Sequence, residues 1–146
     1  CEDSPAQAIA TNIQGTQNVI DAAQINGVER VIFTSSDKAV NPTNVMGTSK
    51  LMGERLMTAA AEVMANSLNR RSHNAGTIFA STRFGNVLGS RGSVVPLFRR
   101  QIEAGGPITL TDRQMTRFIM TLADIVGCTV QTFKLILMWT FYRRAP

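Results

Sequence analysis

Two clusters of reactive side chains stand out. The first is Ser35-Ser36-Asp37-Lys38-Ala39-Val40-Asn41-Pro42, followed by Met46-Gly47-Thr48-Ser49-Lys50. It sets a carboxylic acid beside an amine, with serine hydroxyls before them and a second lysine further on. An acid and an amine in hydrogen-bond reach of one substrate can supply a proton at one atom and remove one at another. Taken by itself, Asp37-Lys38 also reads as a solvated turn, Asn41-Pro42 as a plain turn into a helix, and Met46, Met52 and Met57 as flexible core filler.

The second cluster runs from Arg83-Phe84-Gly85-Asn86 through Gly89-Ser90-Arg91-Gly92-Ser93. Glycines that let backbone N–H groups approach, then a helix start and an arginine, suit a diphosphate. Gly85, Gly89 and Gly92 also serve as ordinary turn residues, and Arg117 downstream as a structural ion-pair partner. His73 lies in a polar stretch and carries no assignment.

The elements that position these groups follow from periodicity. Residues 28–34 (VERVIFT) are a short β-branched run, the pattern of a parallel strand covered on both faces. The acid and amine then stand just past the carboxyl end of a strand, where open parallel sheets bind ligands. Ahead of it, Ser4-Pro5-Ala6-Gln7 predicts a helix start with a capping box, and Asn26-Gly27 its stop. After it, a helix is expected from about Thr43 to Ala65, with Met46, Lys50 and Glu54 on one face. Residues 66–76 read as a polar surface loop, and residues 77–88 as a strand running into a loop. Ser93 caps a further helix through Ala104, ended by Gly105-Gly106; Ile108 to Thr111 is a short strand, and Gln114 onward is helical, with Met115, Phe118, Ile119 and Leu122 on one side.

This alternation predicts an α/β fold, a Rossmann-like doubly wound parallel sheet. At 146 residues with 44% hydrophobic side chains, the chain has the scale of one domain. A net charge of +5 invites a nucleic-acid partner, but the arginines are scattered as pairs with no interleaved aromatic platform, which argues against one. Cys1 and Cys128 lack metal-ligand spacing and read as free thiols of a reducing compartment. No signal peptide is visible, and the most apolar run, residues 135–141, is far short of the about 20 residues that cross a bilayer.

The strings TNIQGTQNVIDAA, TSSDKAVNPTNVMGTSK, RFGNVLGSRGSVVPLF and GGPITLTDRQMTRFIMT, in that order, resemble the polysaccharide-biosynthesis (CapD-like) branch of the extended short-chain dehydrogenase/reductases. Within that branch they are most similar to inverting UDP-N-acetylglucosamine 4,6-dehydratases. The resemblance runs from about Glu2 to Asp124. It implies residues 1–90 as the C-terminal half of an NAD(P)-binding Rossmann-like domain, the N-terminal half being missing. Residues 91–127 are then part of a small substrate-binding region, and 128–146 a divergent, unassigned tail. The family's G-x-G-x-x-G loop, which cradles the dinucleotide pyrophosphate, is absent from the sequence, so the chain reads as a fragment. Its uncovered sheet edges and helix faces predict poor solubility in isolation.

The resemblance also implies roles. Asp37 is the acid for the sugar's carbon 6 hydroxyl and Lys38 the base for the carbon 5 proton. Met46 occupies the usual tyrosine position of a Tyr-x-x-x-Lys pair; a thioether takes no proton, so the carbon 4 proton passes to Asp37, Lys38 or water. Lys50 keeps the spacing for the nicotinamide ribose. Ser35 falls on the cofactor side and Ser36 on the sugar side; Phe84 packs near the nicotinamide, and Asn86, Arg91 and Arg117 contact the UDP moiety. The implied cofactor is NADP or NAD, the substrate a UDP-sugar, and the intact parent a homo-oligomer working in the cytoplasm or on the cytoplasmic face of the membrane. A nucleotide-sugar epimerase and a catalytically inactive UDP-sugar-binding remnant are the alternatives.

Overall fold

In the computed structural model, residues 1–71, 76–90 and 93–144 are described, and of residues 67–71 and 136–144 the backbone alone. A short helix α1 (Pro5–Ala8) passes into a π-helical turn (Ile9–Gln14) and then helix α2 (Gly15–Ile25), followed by strand β1 (Arg30–Ser36). A 3-10 turn (Asp37–Ala39) leads to helix α3 (Val45–Arg71), strand β2 (Ile78–Phe84) and the two-residue strand β3 (Asn86–Val87). Helix α4 (Val94–Glu103), strand β4 (Ile119–Met120) and helix α5 (Leu122–Arg144) complete the order.

β1 and β2 pair in parallel, with Arg30 opposite Ile78 and Ser36 opposite Phe84. The α3 segment between them supplies the crossover that a parallel pair requires. Strand periodicity turns Val31, Phe33 and Ser35 to one side, and that side meets the helices. The core is Ile20 of α2, Met57 and Ala60 of α3 and Phe79 of β2, with Val31, Phe33, Leu56 and Met64 packed around it. Met57 thus does fill the core, whereas Met52 is 44% exposed. The helical prediction for 43–65 understates α3, whose Asn44 caps it by accepting the Gly47 N–H at 2.7 Å.

Several expectations need correction. The first helix has no capping box: Ser4 makes no side-chain cap, and Gln7 reaches forward to the Thr11 hydroxyl at 3.1 Å. β1 lies two residues later than predicted and is not covered on both faces; its residues are mostly half-buried and Thr34 is exposed. Residues 108–111 form no strand; Thr109 is instead held to α4 by Gln101, which donates to its hydroxyl at 2.8 Å and accepts its N–H at 3.1 Å. Nor is the chain helical from Gln114. Ile119 and Met120 pair in parallel with Asn86 and Val87, and the helix starts only after Thr121, where Thr121 and Asp124 cap each other reciprocally. Thr121-Leu122-Ala123-Asp124 is a capping-box pattern, and it locates the true start. The predicted loop at 66–76 is helical through Arg71, and His73 lies outside the described residues.

Gly53 lets α3 approach β1 closely: a Cβ there would stand 2.5 Å from the Phe33 ring. Gly53→Val should therefore cost about 1–3 kcal/mol of stability through overpacking. A lowered denaturant midpoint checks this, and an unchanged midpoint contradicts it.

Candidate active site

The parallel register brings the carboxyl ends of β1 and β2 to one edge. Past the last β1 rung, Ser36 acts as the cap of the 3-10 turn, its hydroxyl accepting the Lys38 N–H at 3.3 Å and donating to Asp37 Oδ1 at 2.8 Å. Lys38 Nζ donates to Asp37 Oδ1 at 3.4 Å and across the edge to Asn86 Oδ1 at 3.2 Å. Asp37, Lys38 and Asn86 thus form one hydrogen-bonded group, its last contact joining residues 48 apart in the chain. Lys38 is half-exposed and Asp37 less so, so both remain open to a ligand.

α3 brings in the next residues. Its first turn sits against the 3-10 turn at Gly47, where a Cβ would run into the Lys38 carbonyl. Met46 is half-buried there. One turn on, Lys50 Nζ donates to the Thr34 carbonyl at 3.2 Å and lies 5.2 Å from the centre of the Phe33 ring. That bond uses one of its three protons and leaves two for ligand hydroxyls. A further turn on, Glu54 takes a bidentate grip from Arg83 of β2, at 2.8 and 2.6 Å.

The two serines part company. Ser36 joins the acid–amine group, while Ser35 is 4% exposed on the α3 side of the sheet, and its hydroxyl has no hydrogen bond of good geometry. It lies near enough to Glu54 to favour that carboxylate's charged form, a smaller effect than Arg83's hydrogen bonds, which hold Glu54 below its ordinary 4.5 against the opposing cost of burial. Arg83 is raised in turn by Glu54. Sequence reasoning placed Glu54 on the correct face without its partner; the turn-by-turn spacing Met46, Lys50, Glu54 was the signal.

Phe84 stands opposite Ser36 at the last rung. Arg117 enters through its backbone neighbour: the Phe118 carbonyl accepts the Asn86 N–H at 2.7 Å. Its exposed guanidinium donates to the Thr116 carbonyl at 2.9 Å and makes no ion pair among the described residues. Arg91 lies outside the described residues. A concavity of about 930 Å³ lies beside Phe98, Ile108 and Arg113 and does not include Asp37 or Lys38. The described residues hold no group of side chains able to bind a metal ion, and no helix long and apolar enough to cross a membrane.

Residues 1–138 match the family described as polysaccharide biosynthesis protein. The chain belongs to that family. It is 49% identical over 123 residues to the capsular polysaccharide biosynthesis protein CapD of Staphylococcus aureus, covering 84% of this chain and 19% of that protein. It is 46% identical over 134 residues to a UDP-glucose 4-epimerase of Rickettsia canadensis, covering 92% of this chain and 37% of the epimerase. Among solved structures, Pen from Bacillus thuringiensis superposes with a TM-score of 0.79 at 48% identity, covering 92% of this chain and 40% of that one. A UDP-glucuronic acid 4-epimerase from Bacillus cereus, crystallised with a UDP-sugar and NAD, superposes at 0.69 with 19% identity over 84% of this chain and 41% of that one, a likeness of fold alone. The chain thus spans well under half the length of these relatives. The α/β, Rossmann-type architecture expected from the sequence is the one found.

The Glu54–Arg83 bridge sets a pH dependence. Because Glu54 titrates lower when folded, its contribution is fully present above about pH 4.5 and is lost as pH falls through the folded value. Glu54→Gln should be less stable than the parent at neutral pH, with the difference shrinking below pH about 4.5; denaturant melts across that range check it, and a pH-independent difference contradicts it.

Proposed function

We propose that the protein containing this chain is a nucleotide-sugar 4,6-dehydratase of the UDP-N-acetylglucosamine type, acting in surface polysaccharide biosynthesis. The observation that carries the reading is the Lys38 ammonium held between Asp37 and Asn86 at the strand edge. Elimination of water across carbons 5 and 6 needs one group to remove a proton and one to supply it: Lys38, as the free amine, takes the carbon 5 proton, and Asp37, as the acid, protonates the departing carbon 6 hydroxyl.

A nicotinamide dinucleotide, NADP or NAD, supplies hydride transfer when bound. The two free protons of Lys50 fit its ribose hydroxyls, and Phe84 at the last rung offers an apolar wall. Ser36 orients a sugar hydroxyl, and Asn86, Arg91 and Arg117 bind the diphosphate side. Met46 removes the proton acceptor that a tyrosine would provide, so the carbon 4 hydroxyl proton leaves through the Asp37–Lys38 pair or water. The parent works as a homo-oligomer on cytoplasmic nucleotide sugar. Residues 1–90 serve the dinucleotide and 91–127 the substrate, with 128–146 unassigned.

A second reading, a nucleotide-sugar 4-epimerase, is favoured by the Rickettsia relative's name. It uses the same carbon 4 oxidation and returns the hydride to carbon 4 without loss of water.

In the longest natural reading frame that contains this chain, Asp37→Asn and Lys38→Ala should each lower turnover of UDP-N-acetylglucosamine by about 10²–10⁴-fold while leaving UDP affinity unchanged. Steady-state kinetics with UDP titration check this; turnover that survives both substitutions contradicts the assignment.

A further inference from the structure

The peptide units flanking Met46 are gripped from two directions by the segment that precedes α2. On one side, the two carboxylate oxygens of Glu2 accept the Val45 N–H at 3.1 Å and the Met46 N–H at 3.2 Å. These first-turn donors have no partner inside the helix, and Asn44 satisfies only Gly47 among them. A carboxylate also meets the positive end of the α3 dipole there.

On the other side, the Met46 carbonyl accepts the Ser49 hydroxyl at 2.9 Å, and Ser49 accepts Asn12 Nδ2 at 2.9 Å. Ser49 is 3% exposed, so this relay is shielded from water. Asn12 projects from the π-helical turn Ile9–Gln14, and its own carbonyl accepts the Thr16 hydroxyl at 2.7 Å. A π turn inside a helix re-aims side chains, and such turns concentrate at functional sites.

We propose that Glu2 is a positioning residue, with Asn12 as its second anchor, that fixes the first turn of α3 and through it Met46 and Lys50. The need arises from the side chain at this position. A tyrosine hydroxyl can be held by its own hydrogen bonds, whereas methionine has three rotatable bonds and no polar handle, so its place must be set through the backbone. Two oxygens are needed for two N–H groups, which a carboxylate supplies without turning a donor toward either.

The inference rests on the reading of Met46 and Lys50 as site residues. Its test uses Glu2→Ala, Glu2→Gln and Asn12→Ala in the natural protein containing the chain. The readouts are hydrogen exchange at Val45 and Met46, the Met46 methyl carbon resonance, and kcat and KM. In Glu2→Ala both amides should exchange about two- to thirtyfold faster, the range for a lost cap. The Met46 methyl should shift in Glu2→Ala and Asn12→Ala, and kcat should fall severalfold at unchanged KM. Glu2→Gln, which keeps one acceptor, should restore part of each effect. A Met46 methyl that stays in place in both alanine variants overturns the proposal, whatever the amides do, because Glu2 is then a helix cap and nothing more. If the parent turns over no nucleotide sugar, the dehydratase reading fails, while the methyl and amide results still decide the clamp.

Discussion

The parallel pairing of β1 with β2 is the constraint on which the site depends. Its register sets Ser36 beside Phe84, so both strands finish at one edge and the residues immediately after them must meet. β1 runs into Asp37 and Lys38, and β2 leads within two residues to Asn86, 3.2 Å from the lysine. A one-residue slip of β2 against β1 would turn Arg83 away from α3, break the Glu54–Arg83 bridge and carry Asn86 out of line with Lys38. The bridge and the core under it, Ile20, Met57, Ala60 and Phe79, therefore hold the register that brings these side chains together.

The sequence revealed the parts whose signals are local. The β-branched run before Asp37, the four-residue spacing of Met46, Lys50 and Glu54, and the serine and glycine that bracket α4 all depend on neighbours within a turn or two. The wrong expectations share a different cause. Residues 114–120 carry apolar spacing that suits a helix, but Ile119 and Met120 are taken by a strand partner more than 30 residues earlier, and no periodicity announces a two-residue bridge. The π turn is equally hidden, since nothing in the spacing of residues 9–14 marks it, and the bond from Asn12 to Ser49 joins residues 37 apart. The meeting of Lys38 with Asn86 was legible only as two motifs, because their distance is set by the sheet.

The surface of the chain bears on how far it acts alone. Its accessible area is 10865 Å² at 15.9 kDa, against about 7,400 Å² for a compact protein of that mass. Large apolar side chains lie open, among them Ile25, Phe118 and Leu122 at 83%, 80% and 69% exposed. Faces of this kind find cover in longer proteins, and the relatives are two and a half to five times longer than the segment matched.

If Lys38 moves a proton at a sugar carbon while Asp37 serves the neighbouring oxygen, hydrogen from the solvent must enter the product at that carbon. The most direct test is to incubate the protein containing this chain with UDP-N-acetylglucosamine in deuterium oxide and determine the product by mass spectrometry and proton NMR. The expected product has lost one water and carries one solvent deuterium at carbon 5. A product of unchanged mass with no deuterium on carbon would contradict these roles and point to epimerisation at carbon 4.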